Sequence, residues 1–219
     1  MQLFPADKSG GVAEMLDALV ANDGTGAHPY VKSAKLSVGP AAMRNLADAV
    51  HFLCVLHGRH PGIVDYAARK AVDPDAREWL DQAADAFAGE RALLGKIASA
   101  VGPVPSTSGQ AQCEAAVAGQ RRALDMLAES DRRGCALGAA IALTLEWRTI
   151  RVLLDISAAR IEIETPRCTL PDLMATARLA QHVADSPAIE RALGFGAQQL
   201  VLQHRGLWDL LSAREMARR

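Results

Sequence analysis

Four stretches of this chain, 73–101, 110–130, 135–163 and 186–213, repeat apolar side chains every three to four residues for roughly 20 positions or more. Only an α-helix puts residues at that spacing on one face, so the chain must bury its apolar surface by packing helix on helix. Composition agrees. Half of the 219 residues are hydrophobic, most of them Ala and Leu, while aromatics make up 4%. Strong helix formers dominate, and the residues that favour strands are sparse.

Gly and Pro divide the sequence into eight expected helices. The first runs from Gly10 to Ala21 with Ser9 as its cap, and 22–39, which lacks any period, reads as a long loop. Pro40 opens a helix to His57, His60-Pro61-Gly62 breaks the chain, and a short helix covers Ile63 to Val72. Asp73-Pro74 is a cap followed by a first-turn proline and starts the helix that ends at Val101. After the polar linker 103–109 come helices over Gln110–Ser130, Cys135–Ile163, Pro171–Asp185 and Pro187–Ala213. With short connections between them, these predict one all-α domain over 1–219, an up-and-down helical bundle.

Charge and cysteine usage exclude several classes. With 24 basic and 25 acidic residues well mixed, no patch would attract nucleic acid. Arg214, Arg218 and Arg219 read as cations favoured at a helix C-terminus. Cys54, Cys113, Cys135 and Cys168 show no CxxC spacing and read as core filler. Residues 1–11 have no apolar core of a signal peptide, and the longest uncharged apolar run, 135–145, is too short for a membrane span. The expected location is the cytoplasm, and the flat Ala-rich helix faces make a homodimer a further expectation.

The informative residues are those that break the apolar stripes. On a helical wheel Glu90 falls at the centre of the stripe Trp79, Ala83, Ala86, Phe87, Leu94 and Ile97. His204 does the same among Leu193, Ala197, Leu200, Val201, Leu207 and Trp208. Glu146 shares a face with Cys135, Ala139, Ala142, Ile150 and Leu153, opposite an expected solvent stripe of Thr144, Arg148, Arg151 and Asp155. Gln120 and His57 are milder cases on apolar faces. At 1.5 Å rise per residue, Glu90, Glu146 and His204 lie roughly 24, 20 and 26 Å from their helix starts, and Gln120 roughly 17 Å from the opposite end. One buried layer is therefore expected to collect all four.

Carboxylates in an apolar interior must be paired, protonated or bound to a cation. Glu90, Glu146 and His204, with His57 as a fourth ligand, could hold a single iron, manganese or zinc ion, or hydrogen-bond a small polar ligand. A di-iron centre is disfavoured because no Glu-x-x-His step exists: Leu93 and Thr149 stand where the histidines would be. The rival expectation is a scaffold whose polar layer only fixes helix register. Asp48 with His51, and His182 with Asp185, read as solvated pairs on polar faces.

Three stretches, HFLCVLHGRHPG at 51–62, SDRRGCALGAA at 130–140 and PVPSTSGQ at 103–110, resemble an uncharacterised family of bacterial all-helical proteins. The resemblance implies a bacterial cytoplasmic origin and carries no activity. The plan is similar to ferritin-like and haem-oxygenase-like bundles by analogy alone.

Overall fold

The computed structural model describes residues 11–218 and contains, among them, nine α-helices and no strand. They are α1 (Val12–Asp23), α2 (Pro29–Lys32), α3 (Ala42–His57), α4 (Ile63–Lys70), α5 (Pro74–Ala100), α6 (Gln110–Ala128), α7 (Cys135–Arg160), α8 (Leu173–Val183) and α9 (Pro187–Met216). All eight expected helices are present within a few residues of their expected ends. The cap expected at Ser9 lies outside the described residues. Asp73, Asp172 and Ser186 cap α5, α8 and α9 by accepting from the backbone N–H three residues on.

The segment 22–39 is not the expected long loop. It holds α2 between two 3-10 turns, Thr25–Ala27 and Ala34–Leu36, and it buries Thr25, Tyr30 and Leu36. Pro29 opens α2, and the Nδ1 of His28 accepts from the N–H of Tyr30, which leaves Nε2–H to donate to Asp209 at 3.0 Å. Asn45 donates to the carbonyl of Lys35. Side-chain caps and long-range bonds, not periodicity, order this stretch, which is why the apolar pattern alone missed it.

Helix α7 is the axis of the fold, with 18 of its 26 residues buried. Its main partner is α9, and the two run parallel: Cys135 meets Gly196 and Gly138 meets Leu193 at one end, while Glu146 meets His204 further along. The α3 helix runs antiparallel to α9, with His57 against His204 and Asn45 beside Arg218. The α7–α9 crossing is possible only with glycine. A Cβ on Gly138 would lie 2.1 Å from the Leu193 carbonyl oxygen, and one on Gly196 would lie 2.0 Å from that of Cys135. No real Cβ sits so close to backbone, so either addition forces the helices apart.

A second buried anchor ties α9 to α3. Asp48, fully buried, accepts from Arg214 at 3.0 and 3.3 Å and also pairs with Arg218, whose other nitrogen donates to Asn45. Asp48 is thus no solvated partner of His51, whereas Arg214 does lie in the last turn of α9, as expected of a helix-end cation, and is buried there against Asp48. Gly196→Ala is expected to destabilise the protein by about 2–3 kcal/mol, the upper part of the cost of overpacking a core. Urea unfolding followed by the fluorescence of the buried Trp147 and Trp208 measures this. Gly119→Ala, inside α6 where nothing lies within 4 Å of the added carbon, is the control and should instead stabilise by about 0.5–1 kcal/mol.

Candidate functional site

The α7–α9 crossing sets Glu146 and His204 side by side in the dry centre of the bundle, both about 1% exposed or less. His204 Nδ1 lies 2.8 Å from Glu146 Oε2, and since a carboxylate only accepts, Nδ1–H is the donor. The other ring nitrogen, Nε2, lies 2.8 Å from Nε2 of His57 on α3. Glu146 is completed from the 22–39 segment: the Thr25 N–H bonds its two oxygens at 2.9 and 3.0 Å, and the Thr25 hydroxyl donates to Oε2 at 2.6 Å. Trp208 Nε1–H in turn donates to that hydroxyl oxygen at 3.0 Å. Gly24 permits the approach, because a Cβ there would sit 2.1 Å from Glu146 Oε1.

Three expected site residues therefore meet, and they form a line: Glu146, then His204, then His57. Burial alone raises the Glu146 pKa, but the bonds and charge of His204 and the bonds of Thr25 outweigh it and hold the carboxyl below its usual value. Burial, helped by the neighbouring His204, lowers the His57 pKa well below 6.5. His57 is then neutral near pH 7, and one proton bridges the two Nε2 atoms, its donor set by the tautomer of each ring. Among the described residues no hydrogen bond occupies the Nδ1 of His57.

Glu90 is the correction to the expected cluster. It is buried, but it pairs with Arg151 and accepts from Trp147 Nε1–H at 2.9 Å. The depth estimate placed it in the right layer, since Trp147 is the neighbour of Glu146. The azimuth was wrong, because adjacent helical residues point about 100° apart. Arg151 was expected in a solvent stripe with Thr144 and is buried with it. The stretch between α7 and α8 lies over that face, where the carbonyl of Pro166 accepts from Arg151 and that of Pro171 from Arg148. Gln120 packs against Gly206 and bonds to no member of the line, and its Oε1 is buried without a partner.

A metal ion needs lone pairs converging on one point. His204 instead commits one nitrogen to Glu146 and the other to His57, while Glu90 is held elsewhere, so the four do not form a cage. Among the described residues, the group whose ligand atoms all lie within 4.8 Å of one another is Asp73, Asp75 and His182, at the surface. His182 thus sits between two carboxylates of α5, while Asp185 pairs with Arg133. Thr25, central to the site, was missed by sequence reasoning. The available signal was the cap-and-proline pair His28-Pro29, which marks a structured turn within the supposed loop.

A model of DUF6975, a family of unknown function, matches residues 20–219, which takes in every residue of the network. The chain belongs to that family. The resemblance seen in the three stretches to an uncharacterised family agrees with it. Neither curated proteins nor solved structures give a match. Among the described residues, no helix of this family member is long and apolar enough to cross a membrane.

Two outcomes are expected of the network. Arg151→Met strands the buried Glu90 carboxylate and should cost about 3–5 kcal/mol in urea unfolding. Stability should also fall on acidification in two stages. The unfolded chain binds a proton on His57 below about pH 6.5 while the folded chain does not, so stability present above 6.5 is lost as pH falls toward the lowered folded value. Glu146 adds a further loss below its unfolded value of 4.5. Melting curves from pH 7.5 to 4 should show the first stage in the native protein and lack it in His57→Gln.

Proposed function

We propose that the protein binds a small polar anion beside His57 and exchanges a proton with it, with Glu146 and His204 setting the proton affinity of that imidazole. The observation that carries this reading is the unbroken run from a buried carboxylate through two imidazoles to a ring nitrogen that nothing else takes. His57 lines a cavity of about 30 Å³ together with Arg59, Arg91 and Arg121. Such a volume suits a water molecule or an ion of few atoms. Arg91 is partly committed to Asp65 and Arg121 to Asp125, yet three guanidiniums around so small a space favour an anion.

A neutral imidazole at pH 7 is competent to accept a proton. In the tautomer in which His57 donates to His204, a proton gained at Nδ1 strengthens that Nε2–H bond, and the Glu146 charge behind His204 stabilises the imidazolium. A buried carboxylate that fixes a histidine tautomer and supports its charge plays the same part in hydrolytic triads. The four free cysteines fit a cytoplasmic home, where thiols stay reduced.

One observation favours a second, structural reading. Both oxygens of Glu146 are saturated by Thr25 and His204, as they would be if the network served only to pin the 22–39 segment to the core. Imidazole ¹⁵N spectra during a formate titration separate the two. The proposal expects a saturable shift at the His57 nitrogens and a rise in its proton affinity, both absent in His57→Gln, with a lower His57 proton affinity in Glu146→Gln. If formate leaves His57 unmoved while Glu146→Gln only loosens residues 22–39, the structural reading replaces it.

A further inference from the structure

Where α5, α7 and α9 start, at one end of the bundle, lies a larger cavity, about 720 Å³, in the size range of small-molecule sites. Its interior is aliphatic, formed by Ala67, Leu80, Ala136, Leu137, Val183 and Ile189, and among the described residues no aromatic side chain lines it. Its rim carries three cations, Lys70, Arg132 and Arg133, against two carboxylates, Asp73 and Asp131.

Two features make the rim attractive to an anion. The first is the start of α7. The first turns of α5, α7 and α9 border the cavity together with the ends of α4, α6 and α8, at Lys70, Ser130 and Val183. Helix ends of both signs thus meet there, and capping decides which is left unpaired. Lys70 and Arg77 already take the carbonyls of Glu129, Ser130 and Ala71. Each helix start carries a partial positive charge from unpaired N–H groups. Asp73 and Ser186 satisfy part of that need on α5 and α9, whereas α7 begins at Gly134, which offers no side-chain cap. The second feature is Arg132. Lys70 bonds to Asp131 and to the carbonyls of Glu129 and Ser130, and Arg133 pairs with Asp185. The Arg132 guanidinium instead lies over the Phe195 ring, 5.8 Å from its centroid, on an exposed side chain free to swing.

We infer that this cavity is a binding site for an amphipathic anion, an aliphatic chain in the Ala/Leu/Val/Ile interior with its charged head at the uncapped start of α7 beside Arg132. Charge selects the sign of the head, and the absence of rings from the walls selects an aliphatic chain over a flat aromatic body. The site shares no residue with the His57 network, so the two stand or fall separately.

Calorimetric titration of the full chain with dodecanoate, below its micelle-forming concentration, tests the inference. Dodecyltrimethylammonium and dodecanol serve as same-chain controls. Dodecanoate should bind with one-to-one stoichiometry and at least about tenfold more tightly than either control. Arg132→Glu, a surface change, should weaken dodecanoate by roughly tenfold and narrow its margin over the ammonium. Leu137→Trp, checked for an unchanged melting profile, should abolish binding by filling the interior. Equal binding of all three amphiphiles, no saturable binding, or indifference to both Arg132→Glu and Leu137→Trp would overturn it. Should Leu137→Trp fail to fold, the head-group comparison and Arg132→Glu decide the matter alone.

Discussion

The negative charge of Glu146 is the constraint around which the rest of the interior is arranged. A carboxylate at the centre of an apolar bundle is tolerable only if its desolvation is offset by donors held in place before it arrives. Here the donors come from two distant parts of the chain: Thr25 supplies its amide and hydroxyl, and His204 supplies Nδ1–H. Each donor imposes a packing demand. Thr25 can reach only because Gly24 has no side chain, and His204 can reach only because α9 lies against α7 at glycine distance. The closeness of the α7–α9 crossing and the order in 22–39 are thus consequences of one buried charge.

Glu90 shows the alternative solution to the same problem. It is neutralised by a full cation, Arg151, rather than by an imidazole, and a Trp147 N–H completes it. Two carboxylates at the same height would repel if they shared a space. The indole of Trp147 separates them, its ring edge-on to His57 at 5.5 Å and to Phe87 at 5.2 Å. The consequence for chemistry is a division of labour. A guanidinium stays charged and passes no proton on, whereas a Glu–His–His line contains imidazoles through which protons can move.

How much of this was legible follows from which physics each feature depends on. Helix positions rest on local periodicity, caps and breakers, so all eight longer helices stood out. That Glu90, Glu146, His204 and His57 face inward is also local, and the rise per residue gave their common height. Which of them touch depends on azimuth between helices, and nothing local fixes that: a one-residue step from Glu146 to Trp147 turns a neighbour of His204 into a neighbour of Glu90. Arg151 was misread because Thr144, Arg148, Arg151 and Asp155 make a convincing polar stripe, and only the stretch after α7 reveals that Arg151 is covered while Arg148 stays exposed. Asp48 was misread for the same reason: it is polar in sequence and is matched by Arg214, more than a hundred residues away.

Parallel packing of α7 and α9 has one more consequence. Where consecutive long helices alternate strictly, N- and C-termini mix at each end and their dipoles largely cancel. In this fold the short α8 returns the chain between α7 and α9, so the starts of α5, α7 and α9 gather around one cavity beside the ends of α4, α6 and α8, close to Lys70, Arg132 and Arg133. Helix ends of opposite sign largely offset one another there, so the uncapped start of α7 and the three cations, set against Asp73 and Asp131, decide the local sign. Formal net charge, −1 here, says little about such a fold, because the field a ligand meets is set by which caps and charged side chains the topology brings together.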